Sequence, residues 1–441
     1  MSGFTNSPFE GFSKLSLEQR LASLQSFIGL TQEDIDTLSV HGCGLSLDQA
    51  EHLIENVVGL FAMPMGIATH FQIDGRDVAI PMVVEETSIV AAASASAKWI
   101  RRNGGFKTRS HGKLIIGQIQ FPTVKDPMAF ERIVNANSGY LLEIANETVP
   151  NLVARGGGVR EIQVRLLERP DSDTMAVLHV LCDPCDAMGA NLINQVCEAL
   201  KGPLEQLSGE KVGLCILSNL VDTKLVEATC EISDITPELG HAIEEATLFA
   251  NLDPYRGTTH NKGVMNGIDP ILIATGNDWR AVEAGIHSYM ALGGRYHSIT
   301  EWTYTDGVLR GRFLAPIAVG VVGGVTRIHP TARVSLKMMG IEHADDLARI
   351  CAAAGLAQNL AALRALCSEG IVRGHMRLHA ANLALAAGAR KHEISLVEEK
   401  LRQEARITLS RAKELLEQIR LASSPVVVAG NVVAAAGRSR E

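Results

Sequence analysis

VREIQVRLLE (residues 159–168) and MAVLHVLCD (175–183) are two successive runs rich in branched and aliphatic residues, and what flanks them decides the fold. Runs of this length and composition read as β-strands. Upstream lie a strand pattern, KLIIGQIQF (113–121), and a helical one, DPMAFERIVNANSGYLLEIAN (126–146). Downstream come a helical pattern, AMGANLINQVCEALKGPLEQL (187–207), and a last strand pattern, KVGLCILSN (211–219). The order is β-α-β-β-α-β, the ferredoxin-like signature, so residues 113–219 are expected to form an inserted α/β domain.

Working outward, residues 15–55 read as three short helices, each opening on Ser or Thr with acids in its first turn, as N-capping requires. VVGLFAMPMGIATHFQI and GRDVAIPMV, joined at Asp74-Gly75, read as a hairpin. TSIVAAASASAKWIRRN is a small-residue helix. Residues 234–375 return to helices around one strand pair, TEWTYTDGVLRGRFLAP, turning at Asp306-Gly307; helices follow Gly374, and SSPVVVAGNVVAAAGRSRE closes the chain as a low-complexity tail.

Composition narrows the function classes. Of 441 residues, 46% are hydrophobic and 20% charged, which supports a sizeable core and excludes a disordered chain. The net charge of −8 and pI near 6.0 argue against a nucleic-acid partner. No signal peptide is apparent, and apolar stretches such as APIAVGVVGGV fall short of the roughly 18–20 residues that span a bilayer. A cytoplasmic, soluble protein is expected. Among eight cysteines only Cys182-Asp-Pro-Cys185 has a suggestive spacing. It lacks the second pair of a zinc site, so no metal is expected, and it reads as an incidental strand end rather than a redox pair.

The chemistry concentrates in DPYRGTTHNKGVMNGIDPILIATGNDWRA (253–281), where Arg256, His260, Lys262, Asn266, Asp278 and Arg280 sit among glycines and aliphatic residues. Core segments exclude such charges unless they are paired. Asp269-Pro270 reads as a helix start, which would bury Asp278, and Lys262 and Asn266 share a face if helical. A structural Lys–Asp pair is the plain alternative. Glu86, beside Thr87 and Ser88 where a strand feeds a helix, could equally be a dipole-favouring acid. His375 follows Gly374 in EGIVRGHMRLHAAN. The run KWIRRNGGFKTRSHGK (98–113) carries six cations and no acid, suiting either phosphate binding or an exposed helix C-terminus. No GxGxxG, Walker A or HExxH motif occurs, and GVVGG (320–324) fails the dinucleotide spacing.

Taken together, ENVVG (55–59), Glu86 in VVEE, DAMGAN (186–191), HNKGVMNGID (260–269), ATGNDWRA (274–281), GLAQN (355–359) and RGHM (373–376) occur in one order. The chain resembles the class II, soluble bacterial and archaeal 3-hydroxy-3-methylglutaryl-coenzyme A (HMG-CoA) reductases from about residue 15 to about 420. The resemblance implies an α+β fold: a large, mostly helical substrate domain (1–112 and 220–371), interrupted by a ferredoxin-like nucleotide-binding domain (113–219), and a helical C-terminal flap (372–441). It implies catalytic roles for Lys262 (alkoxide stabiliser), Glu86 (acid), Asp278 (link between the two) and His375 (proton donor to the coenzyme A thiolate). Glu55, Ser88, Arg256 and Asn266 would contact substrate, and Asp186, Met188, Gly189, Ala190 and Asn191 the dinucleotide. Expected partners are HMG-CoA or mevalonate and coenzyme A, on a homodimer with shared sites, or a hexamer. The rival is a non-catalytic acyl-coenzyme A binding protein on the same scaffold. Val149 occupies the position where NADH-preferring relatives carry an acid, so NADPH is expected over NADH, with Glu147 a possible replacement acceptor.

Overall fold

The computed structural model describes residues 7–39, 44–368, 380–404 and 407–423. The chain divides into two compact units, Met1–Ser368 and Glu369–Glu441.

The first unit opens with α1 (Leu17–Ile28), α2 (Gln32–Ser39) and α3 (Leu47–Glu51). Ser16 and Ser46 close full capping boxes with Gln19 and Gln49, so the expected N-caps are in place. The hairpin β1 (Met65–Ile73) and β2 (Arg76–Val83) turns at Asp74-Gly75, both at positive φ, as a tight antiparallel connection demands. Helix α4 (Ile89–Arg102) follows, buried through Ala93, Ala97 and Ile100.

Next come β3 (Lys107–His111), β4 (Ile115–Phe121), α5 (Pro127–Ala136), α6 (Ser138–Glu147), α7 (Pro150–Val153), β5 (Gly158–Glu168), β6 (Thr174–Asp183), α8 (Ala190–Ser208) and β7 (Cys215–Ser218). Strands β4 to β7 form one antiparallel sheet ordered β5-β6-β4-β7. That is the ferredoxin-like order, with the first and third strands central. Its helical face buries Ile119, Leu178 and Val180 against Val134, Leu141, Val196 and Leu200.

The chain then runs through β8 (Leu225–Ile232), α9 (Pro237–Leu252), α10 (Pro254–Ala274), α11 (Trp279–Ala291), β9 (Thr300–Thr305), β10 (Val308–Pro316), α12 (Gly324–Ile328), α13 (Pro330–Met339) and α14 (Ala344–Cys367). The β9–β10 hairpin turns at Asp306-Gly307 as expected. It is wider than the expected strand pair, because β8 and β3 extend it into a four-stranded sheet, β3-β8-β10-β9. Helix α14 is long and apolar enough to cross a membrane, but 67% of that stretch is buried within the chain, where it is the core helix packed on α10 and α4.

One expectation fails here. Asp269-Pro270 does not start a helix: α10 already begins at Pro254, capped by the Asp253 carboxylate on Tyr255 N–H at 3.0 Å, and Pro270 sits inside its last turns. In the basic run 98–113, Arg101 and Arg102 fall in the last turn of α4, one of the two settings expected, and acids from elsewhere meet the run: Lys98 pairs with Glu10, Arg101 with Asp77 and Arg102 with Asp234. Those three cations hold α4 to its neighbours.

In the second unit, helices Lys391–Leu401 and Leu409–Ser423 pack through Val397, Leu401, Ala412, Leu415 and Leu416.

Candidate active site

Helix α10 presents Arg256, Lys262 and Asn266, while the turn before α4 presents Glu86 and Ser88. The structure brings these two elements together: Lys262 Nζ donates to Glu86 Oε2 at 3.4 Å. The pair is open to solvent, the side chains being 63% and 42% exposed. The expectation of buried charges is therefore corrected for this chain alone: these groups line an open face, and Arg280 is 71% exposed.

Ser88 stands beside the pair at φ +81°, a left-handed conformation that costs a non-glycine residue about 1–2 kcal/mol. Its hydroxyl is buried and has no hydrogen-bond partner among the described residues. An orphaned buried hydroxyl costs about 1–3 kcal/mol, which a bound ligand oxygen would recover. Arg256 is half-buried, its guanidinium pulled below the usual range by burial, and among the described residues it forms no ion pair. Both groups suit an anionic ligand.

Asp278 caps α11 by accepting from Ala281 N–H at 3.2 Å, and its ion pair is with Arg280, also at 3.2 Å. Within one chain it does not link Lys262 to Glu86. Glu55 is exposed before the strand β1 and Asn266 is half-buried. His375 lies outside the described residues.

The turn Asp183–Gly189 carries the second group of candidates. Gly189 caps α8 at φ +92° with no side chain on the helix's first N–H groups, leaving Ala190 and Asn191 at an open N-terminus. Asp186 turns its carboxylate away from those donors: it accepts from Ala344 N–H at 2.9 Å and lies 3.2 Å from His343 Nδ1. Met188 is approached by Gly320, where an added Cβ would lie 2.5 Å from Met188 N. Only glycine fits there. Val149 is buried at 7% exposure in the ferredoxin-like core and offers no acceptor to a ligand; Glu147 is exposed beside it.

Sequence reading missed the segment that joins the two groups. Gly320 N–H donates to Asn277 Oδ1 at 2.8 Å, and Val321 N–H donates to the Asp186 carbonyl at 2.9 Å. The GVVGG loop thus ties the turn of Asp278 to the open end of α8. Its glycines were the available signal, set aside because they do not match the βαβ fingerprint. The CxxC is incidental to this geometry: burial pushes the Cys182 thiol up to about 12, and both cysteines are free thiols.

Asp269 on α10 and Glu283 on α11 are close neighbours. Burial, then hydrogen bonding and repulsion from Glu283, push the Asp269 carboxyl up to about 8 from an ordinary 3.8. A folded-state value above the unfolded one means that stability is full below about pH 4 and is lost as pH rises toward 8. Asp269→Asn, which fixes the protonated shape, is expected to leave stability unchanged at pH 4 and raise Tm by about 2–4 °C at pH 8.5. Calorimetry at both pH values checks this; an equal shift at both would contradict it.

A ferredoxin-like unit set into an α+β scaffold, with a lysine–glutamate pair on one side and an open glycine-capped helix tied to the loop after α10 on the other, is the setting of a dinucleotide-dependent oxidoreductase. The family profile described as Hydroxymethylglutaryl-coenzyme A reductase matches residues 16–380. The chain is 46% identical to the 3-hydroxy-3-methylglutaryl-coenzyme A reductase of Archaeoglobus fulgidus over 418 residues, 94% of this chain and 95% of that one. It is 30% identical to the probable enzyme of Borreliella burgdorferi over 84% of this chain and 85% of that one. Among solved structures, the reductase of Streptococcus pneumoniae superposes with a TM-score of 0.79 at 39% identity, covering 93% of this chain and all of that one. The class II enzyme of that organism, bound to NADPH in open conformations, matches with a TM-score of 0.77, covering 92% of this chain and 100% of that one. The chain belongs to the hydroxymethylglutaryl-coenzyme A reductase family.

Proposed function

We propose that the protein reduces HMG-CoA to mevalonate and free coenzyme A with two equivalents of NADPH. The observation that carries this is the Lys262–Glu86 pair, 3.4 Å apart beside the unpartnered Ser88 hydroxyl. A binding protein of the same scaffold would need a pocket for the acyl group but no cation–acid pair at its centre.

The Lys262 ammonium stabilises the negative charge that develops on oxygen, first as the thioester carbonyl becomes a thiohemiacetal and again as mevaldehyde is reduced. Glu86 supplies the proton that turns the final alkoxide into the alcohol. Asp278, close to the GVVGG tether, completes the set. His375 protonates the thiolate of coenzyme A as it leaves. Arg256 and Ser88 hold the free carboxylate of the hydroxymethylglutaryl group, Arg256 through its planar fork, with Asn266 and Glu55 at the substrate's edge.

The residues at the head of α8 fit a dinucleotide: the N–H groups at this glycine-capped helix start, from Met188 and Gly189 to Ala190 and Asn191, suit a pyrophosphate, and Gly320 lets the GVVGG loop pack close against the turn at Met188. NADPH bound there supplies the hydride in each step. The ferredoxin-like domain (113–219) is the nucleotide-binding part, residues 1–112 and 220–371 form the substrate domain, and residues 372–441 act as the flap that brings His375. NADPH is preferred because Val149 gives no acceptor for a ribose hydroxyl and no charge to repel a 2′-phosphate. A kcat/KM at least tenfold higher with NADH would contradict that preference.

The working assembly is a cytoplasmic homodimer with shared sites, or a hexamer of three dimers. The support is a set of apolar side chains that a single chain leaves uncovered: Val58 is fully exposed, Phe61 91% and Tyr255, beside Arg256 in sequence, 87% exposed.

Incubating the protein with HMG-CoA and NADPH, and following NADPH absorbance together with free thiol, tests the proposal. Two NADPH consumed per coenzyme A released is expected; folded protein that binds HMG-CoA without turnover would favour the binding role. His375→Ala is expected to slow HMG-CoA reduction by about 10²-fold or more while sparing reduction of free mevaldehyde, which releases no thiolate. Equal losses on both substrates would remove His375 from that role.

A further inference from the structure

His343 is the residue in contact with the dinucleotide turn that neither the resemblance nor the reaction requires. It stands at the entrance to α14, its imidazole Nδ1 lying 3.2 Å from Asp186 Oδ2 and 3.3 Å from Oδ1. Asp186 lies in the turn Asp183–Gly189, whose far end is the open N-terminus of α8. The same carboxylate fixes the α14 N-terminus through Ala344 N–H, and the Asp186 carbonyl holds Val321 of the GVVGG loop. One acid therefore organises three elements around the place where the dinucleotide phosphates would lie.

We propose that His343 sets the pH dependence of dinucleotide binding by neutralising Asp186 when its imidazole is protonated. The inference rests on the dinucleotide reading given above. A carboxylate beside a pyrophosphate site repels its ligand, and an imidazolium bonded to that carboxylate cancels the repulsion. Once the ring loses its proton, the negative charge of Asp186 near the phosphates loses its imidazolium partner.

The charges around the ring support this direction. Asp186 faces it from the turn, and Glu342 and Asp346 face it from its own stretch of chain; the hydrogen bond to Asp186 is the leading cause that holds the imidazolium above its ordinary range. Lys224, buried before β8, lies among Asp345, Asp183 and Asp186. Its ammonium offsets part of the acidic cluster, while burial disfavours its charge. The ring itself is 67% exposed, so it exchanges protons freely with solvent. His343 is thus a positioning residue for the cofactor, acting through Asp186.

The dissociation constant of NADPH, read from its fluorescence on the full chain between pH 6.5 and 9, tests this without turnover. NADH serves as a second ligand, because it lacks the 2′-phosphate that titrates near pH 6. The wild type is expected to bind both roughly fivefold more weakly at pH 9 than at pH 6.5, the scale of one exposed unit charge at a few ångströms. His343→Gln should bind weakly at every pH. His343→Lys should bind tightly across the range, and circular dichroism confirms that both variants keep their helices. If His343→Gln retains the pH dependence of the wild type, or His343→Lys binds as weakly as His343→Gln, the proposal is overturned. Failure of wild-type protein to bind either dinucleotide at any pH would remove the dinucleotide reading itself, and this inference with it.

Discussion

Lys262→Ala is expected to lower kcat on HMG-CoA by at least about 10²–10³-fold, the usual cost of losing one preorganised donor to a developing oxyanion, with a charged donor costing more. Both hydride steps place negative charge on oxygen, so the loss should be equal for HMG-CoA and for mevaldehyde. The structure sharpens this expectation. Lys262 projects from α10, a helix held rigid on its other side by Val264, Ile268 and Ile271 in the core, and Glu86 is its ion-pair partner. Removing the side chain disturbs no packing, because it is 63% exposed. Stability should therefore stay within about 0.5 kcal/mol of the wild type, and assays on both substrates alongside thermal unfolding separate a chemical loss from a folding loss. A variant that reduces mevaldehyde normally would contradict the role.

Glu86→Gln is the second large effect. Glutamine keeps the shape and can still accept from Lys262, but it has no proton to give. A positioned general acid contributes about 10²–10⁴-fold, and the loss should fall on the step that makes the alcohol. Mevaldehyde reduction should slow by that factor while binding of HMG-CoA, proposed to run through Arg256 and Ser88, changes little. An unchanged rate of mevaldehyde reduction would assign the proton to another group.

The ferredoxin-like unit was legible because its strands carry branched residues that are buried in the sheet, and because the helical segments between them keep their apolar spacing, although the one helix expected over 126–146 breaks at Asn137 into α5 and α6. Capped helices and the two Asp-Gly hairpins were legible for the same reason: a local chemical requirement is met by a local residue. Strand β3, KTRSH, was not, since its pairing with β8 along Lys107–His111 satisfies the backbone without an apolar pattern. Its side chains alternate between exposed and partly exposed, as on an edge strand.

The start of α10 was misread for a physical reason. Within residues 253–281 Asp-Pro occurs twice, at 253–254 and at 269–270, and both pairs suit a helix N-terminus. The first one caps the helix; the second falls near the end, where proline removes only one donor and the core residues Ile268, Ile271 and Leu272 hold the helix together regardless. The candidate site was legible as a set of residue types through resemblance, but its geometry was not. That Asp186 serves α14 through Ala344, and that Gly320 and Val321 tie the two halves together, are long-range contacts with no local signature.

The central claim is that Lys262 and Glu86 act as one unit in the chemical step. A double-variant cycle on kcat for mevaldehyde reduction, comparing Lys262→Ala, Glu86→Gln and the two combined, tests it most directly. Groups that work together lose their function once, so the double variant is predicted to be no slower than the worse single variant by more than about threefold. Losses that multiply across the cycle would mean that the two side chains contribute independently, and the 3.4 Å pair would then be only an ion pair.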